Sequence, residues 1–175
     1  MDTDPPPADP HAAPLPILLL RVSGLTLAIR QGAVAELLPL PRLDPVPEAP
    51  PILRGAFHLG GTLVFVLPIA ALLGLAGEAE GRPLYHHLLL LPPRSGEVRL
   101  ALLADRVMAA AEAEAQLMPP GASFNDCVEG DLRHQGAVVP LLAVEKLLAS
   151  RERLQLTAFA ERREARARAF GLDEG

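Results

Sequence analysis

One cysteine among 175 residues, Cys127, leaves no internal disulfide to form, which fits a reducing compartment. Aromatic residues make up only 3% of the chain and the formal net charge is −5. A nucleic-acid binder of the usual kind carries a basic stripe with interleaved aromatics, and this chain has none. Also missing are a G-x-x-x-x-G-K-[ST] phosphate loop, a G-x-S-x-G elbow, an H-E-x-x-H helix and a C-x-x-C pair. The common signatures of nucleotide, acyl-transfer, zinc-protease and dithiol chemistry are therefore absent. The opening residues, MDTDPPPADP, lack the positive n-region of a secretory signal and read as a disordered, proline-rich tail over residues 1–14.

Half of the residues are hydrophobic, and a chain of this length is expected to bury about two thirds of its unfolded surface in one domain. Short apolar runs recur between turn signals, the spacing of an all-β domain. Residues 17–22 and 25–29 alternate on either side of Ser23-Gly24, a two-residue hairpin signal. Residues 88–91 and 98–103 flank PPRSGE and are apolar without alternation, so they predict a hairpin buried on both faces. A proline-rich connection at residues 39–51 separates the two regions.

No Asp, Glu, Lys or Arg stands between Arg54 and Glu78, a length that raises a membrane-spanning or membrane-anchored alternative. His58, Pro68 and the glycines oppose it. The run divides instead into a glycine-rich turn, a β-branched strand TLVFV and a short AALLGL helix.

Within that run, residues 55–69 resemble the pattern G-v-x-N-L-R-G-x-v-v-P-V-i-D-L of the CheW family, the adaptors of bacterial chemotaxis arrays. Gly55, Leu59 and Gly61 fall on the pattern, followed by Leu63, Val64, Val66 and Ile69. Gly60 stands where the family has arginine, Phe65 where it has proline and Pro68 where it has aspartate. Other landmarks follow in order. Val34 and Glu36 resemble the V-x-E-I element, LALLADRV with Asp105 and Val107 the g-l-x-V-D-x-V strand, LMPPG the i-x-p-P segment with Gly130 after it, and VVPLLAVEKLL the closing element. The resemblance covers about residues 15–150. It implies a mainly β fold of two SH3-like five-stranded barrels packed together, to which residues 151–175 add a helical extension. It also implies a cytoplasmic, non-catalytic scaffold that bridges chemoreceptor cytoplasmic tips to the regulatory domain of a CheA-type histidine kinase, without a cofactor or metal. The docking surface it implies comprises Val34, Glu36, Gly55, Leu59, Gly60 and Gly61. A structural reading stands beside each: Val34 and Leu59 as core, Glu36 as a solvated face, the glycines as positive-φ turn positions.

Propensity and resemblance disagree over residues 108–117, MAAAEAEAQL. Ala, Glu and Gln favour helix by several tenths of a kcal/mol per residue, whereas the family places a strand there. Period two is also satisfied, with alanines on one face and Glu112 and Glu114 on the other. We expect the strand, on the strength of the resemblance.

A different class of function, a small cysteine-dependent enzyme, would need Cys127 and His134 within hydrogen-bond reach and an orienting group such as Asp126 or Asp131. His86 and His87 are neighbours on a presumed strand, point to opposite faces and cannot chelate one ion together. Glu36 and Asp105 suit structural or binding roles better than an acid-base pair. Beyond Leu148, RERLQLTAFAERREARARAF has six arginines and three glutamates in a strongly helix-forming context. Leu148, Phe159 and Phe170, eleven apart, share one helical face. Residues 1–150 carry 10 basic and 16 acidic side chains, so this helix of net +3 is expected to dock on its own domain. A basic arm for an acidic partner or membrane surface is the alternative.

Overall fold

The computed structural model describes residues 14–75, 85–123, 126–148 and 150–169. All but the last residue of the expected N-terminal tail, and the Phe170 anchor, lie outside them. Two sheets form, each curled on itself. The first contains β1 (Leu15–Val22), β2 (Leu25–Arg30), β8 (Arg106–Ala113), β9 (Ala115–Leu117), β10 (Val128–His134) and β11 (Ala137–Leu142), in the order β8-β1-β2-β11-β10-β9. The second contains β3 (Glu36–Pro39), β4 (Gly55–Leu59), β5 (Thr62–Pro68), β6 (His87–Leu90) and β7 (Arg99–Ala104), in the order β3-β6-β7-β5-β4.

The first sheet has six segments where five strands were expected, and the reason is a bend. Strands β8 and β9 occupy its two edges but adjoin in sequence across Glu114. One broken strand thus pairs with β1 through its first half and with β10 through its second, closing a five-stranded barrel, barrel A. The alanine-glutamate run is therefore a strand, because five of its residues, 109–113, are in register with β1. Backbone pairing and the narrow barrel interior, in which Ala115 is buried, outweigh helix propensity here. Gly130 makes the closure possible: a Cβ there would stand 2.6 Å from the Gln116 carbonyl oxygen of β9.

Barrel B, the second sheet, is contiguous in sequence. The chain that leaves β3 returns to β4 through a two-bond bridge, Asp44 N–H to Ala56 O at 2.8 Å and Ala56 N–H to Asp44 O at 3.0 Å. Strand β4 leads through Gly60-Gly61 into β5, which ends in a single helical turn, α1 (Ile69–Leu72). The charge-free run is thus strand, turn, strand and turn of helix, and no helix among the described residues is long and apolar enough to cross a membrane. The β6–β7 hairpin pairs Leu88 with Leu103 and Leu90 with Ala101, as its unbroken apolar runs require.

Three cores result. Ile17, Leu19, Leu132 and Leu141 fill barrel A, and Phe57, Val64, Leu88 and Leu103 fill barrel B. The largest lies in the seam between the barrels, where Leu18, Leu20 and Ile29 meet Phe65, Leu67, Leu89 and Leu102. Strand β7 is buried on both faces because Ala101 and Leu103 point into the barrel while Leu100 and Leu102 point into the seam. The last element, α2 (Ser150–Ala169), adds Leu156, Phe159 and Ala160 to the seam, and the Phe159 ring lies 6.1 Å from that of Phe65 at 45°. The helix docks on its own domain, as expected, with Arg166 paired to Glu48 at 3.4 Å, while Arg168 pairs with Glu164 at 3.5 Å within the helix. Exposed pairs of this kind contribute about 0–1 kcal/mol each. Burial of Leu156 alone contributes about 2 kcal/mol, so the apolar face sets the docking.

Candidate docking surface

The register of barrel B shows which candidate residues share a region. Glu36, Leu90, Ala101, Val66 and Gly55 form one row across the sheet. From that row, Val34, the β6–β7 loop at residues 91–98 and the β4–β5 tip all lie toward the same end of the barrel. Strand β3 begins there, β6 and β4 run into it, and β5 and β7 leave it.

The six candidates do not share one environment. Gly60 and Gly61 form the tip with φ of +57° and +81°, exposed, with no atom within 4 Å of where a Cβ would stand. Positive φ at both central residues gives the twist that suits a two-residue hairpin turn, and glycine adopts it without strain. Leu59 beside them is 36% exposed. Glu36 is exposed at the start of β3. Val34 is half-buried against the seam, and its N–H donates to Gln31 O at 3.1 Å. Gly55 is buried at the first position of β4: its Cβ would meet the Asp44 carbonyl oxygen and the Leu43 Cβ, each at 3.0 Å. It is a close-approach position of barrel closure, away from the exposed tip.

At the same end the structure adds a shallow cleft that sequence reasoning missed. Gly32 and Ala33 of the 3-10 turn Gln31–Ala33, Leu91 and Pro92 after β6, and Val98 and Leu100 before and in β7 line it. Arg94 and Glu145, paired at 3.0 Å, flank it. The signal lay in the β6–β7 connection, whose prolines and glycine mark a loop but not what it faces. An apolar cleft, a charged rim and an exposed leucine at one barrel end fit protein contact better than small-molecule chemistry.

The remaining candidates separate. Cys127 precedes β10 and His134 ends it, so a strand of seven residues, about 20 Å of extended chain, divides them. That distance overturns the thiol-imidazole alternative. Glu36 lies in the row of Ala101, four residues and about 13 Å before Asp105. Asp105 itself is buried, and its carboxylate accepts the Ser23 N–H at 2.7 Å, while its own N–H donates to Arg21 O at 3.0 Å. It fixes the β1–β2 turn of barrel A to the end of β7 in barrel B. His86 is buried, whereas the half-buried His87 ring faces the Tyr85 carbonyl at 2.7 Å. Among the described residues, no group of three or more His, Cys, Asp or Glu side chains is placed to hold a metal ion.

Comparison with known proteins agrees with this geometry. No curated protein matches the chain. Among solved structures, the scaffolding protein TtCheW from Thermoanaerobacter tengcongensis superposes with a TM-score of 0.65 at 16% identity, covering 79% of this chain and 95% of that one. At that identity the likeness speaks for the double-barrel fold. The model of the CheW-like domain matches residues 16–152, all of both barrels from the second residue of β1 to the first turn of α2. With more than three quarters of its length under that match, the chain belongs to the CheW-like domain family.

Proposed function

We propose that the protein is a non-catalytic, cytoplasmic adaptor of a bacterial chemosensory complex, coupling chemoreceptor tips to the regulatory domain of a CheA-type histidine kinase. The observation that carries this reading is the family match across both barrels. Its mechanism is positional. Two barrels sharing a seam core form a rigid body, and the tip of Leu59, Gly60 and Gly61 with the neighbouring cleft, Val34 and Glu36 offers the docking end. Apolar groups at the centre, Leu59 and the cleft, contribute affinity, and rim charges such as Glu36 and Arg94 set orientation. Gly55 acts from beneath, by allowing the chain to close on β4.

Gly60 favours a second, narrower reading, in which the adaptor binds the kinase and not receptors. Where the family pattern has an arginine, this tip has no guanidinium fork to pair with a carboxylate. Purified kinase regulatory domain and receptor tip fragments, each immobilised, separate the two. Retention by both supports the coupling role, retention by the kinase domain alone supports the narrower one, and retention by neither contradicts the adaptor reading.

A further inference from the structure

Helix α2 continues seventeen residues past the end of the family match, from 152 to Ala169. Two of its contacts bear on the β4–β5 hairpin, one directly and one through the chain that bridges to β4. On one side, Phe159 packs on Phe65 in the middle of β5, and Phe65 is in register with Ala56 of β4. On the other side, Ala56 is bonded through both its N–H and its carbonyl to Asp44. From Asp44 the chain runs on to the α2 surface. There Val46 and Ile52 sink into the seam core, Glu48 meets Arg166, and Ala49 and Pro50 face Ala158 and Phe159 across a groove. Glu48 adopts φ +61°, a left-handed conformation that a residue with a Cβ takes only where its surroundings hold it.

We propose that α2 is a clamp on the β4–β5 hairpin, gripping β5 directly through Phe65 and β4 through residues 44–52, and so setting how readily the Leu59–Gly60–Gly61 tip changes shape. Neither aromatic partner belongs to the family pattern. Phe65 stands where the family pattern has proline, and Phe159 lies beyond the family match. The tip of a two-stranded hairpin is held by its flanking strands, so restraining both strands restrains the tip, and freeing either one loosens it. A ligand or modification that lifts α2 would then act on the tip without touching it. This last step rests on the tip being the docking element; the clamp does not.

Amide hydrogen exchange on the full chain, with no partner present, tests the clamp separately from the docking reading. In Phe159→Ala, exchange at residue 44, at residue 56 and at residues 63–65 is expected to quicken about tenfold, while Leu132 and Leu141 inside barrel A stay protected. Phe159→Leu should restore most of that protection. Arg166→Glu, which leaves the core intact, should quicken exchange at residue 44 roughly twofold, and adding Glu48→Arg should reverse it. Faster exchange confined to α2, or spread equally into barrel A, would overturn the clamp. So would an Arg166→Glu chain indistinguishable from the unmodified one at residue 44.

Discussion

Barrels A and B solve the same closure problem with different chain economies. Barrel A gathers strands from both ends of the domain and closes through a single strand bent at Glu114, whereas barrel B is continuous from β3 to β7 and closes through the Asp44–Ala56 bridge. Each places a glycine at the tightest point, Gly130 against Gln116 in A and Gly55 against Asp44 and Leu43 in B. Neither of these two glycines has a positive φ; Gly60 and Gly61, at the exposed tip of B, do. Glycine in this chain therefore does two jobs, close approach and turn, and only the second is at a surface.

The difference orders the expected effects of substitution. Gly130→Ala should be the most damaging, since its Cβ would meet backbone at 2.6 Å and nothing there is a flexible side-chain end. A loss of about 3 kcal/mol, or some 6–10 °C in melting temperature, is expected in denaturant and thermal unfolding. Asp105→Ala cuts the charged link from β7 to the β1–β2 turn and should cost about 2 kcal/mol. The matching structural readout is faster amide exchange at Ser23. Gly55→Ala meets the Asp44 carbonyl oxygen and the Leu43 Cβ at 3.0 Å, a looser approach than the 2.6 Å at Gly130, so a smaller displacement relieves it. About 1–2 kcal/mol is expected, so a loss as large as that at Gly130 would refute the ranking of the two closures. Gly61→Ala faces open space and should cost about 1 kcal/mol through its φ of +81° alone.

How far the sequence disclosed these features depended on range. The β6–β7 hairpin was legible because its two runs are local and apolar on both faces. The β1–β2 hairpin was legible from Ser23-Gly24, whose φ values of +46° and +79° are those of its turn type. The alanine-glutamate strand was not legible from propensity and came from the family resemblance. Helix α2 was legible in extent, and Phe159 among its anchors, but Leu156 and Ala160 were not. An eleven-residue spacing that begins at Leu148 starts before the helix does at Ser150. Gly55 was grouped with the tip by the family resemblance. That it is buried under residues 43 and 44 depends on a loop that returns from eleven and twelve residues away, which no local pattern records. The cleft at the end of barrel B was invisible for the same reason, since three separate segments build it.

On the adaptor reading proposed above, the exposed end of barrel B, and not barrel A, meets the kinase. Calorimetric titration of its purified regulatory domain into the unmodified chain, Leu59→Asp and Leu117→Asp tests it most directly. Leu117, 58% exposed in β9, is the matched apolar position on barrel A. Saturable one-to-one binding by the unmodified chain and by Leu117→Asp is expected, with a loss of about tenfold or more in Leu59→Asp, the weakening expected when a charge enters an apolar interface centre. Equal affinity in all three, or a loss in Leu117→Asp alone, would contradict it.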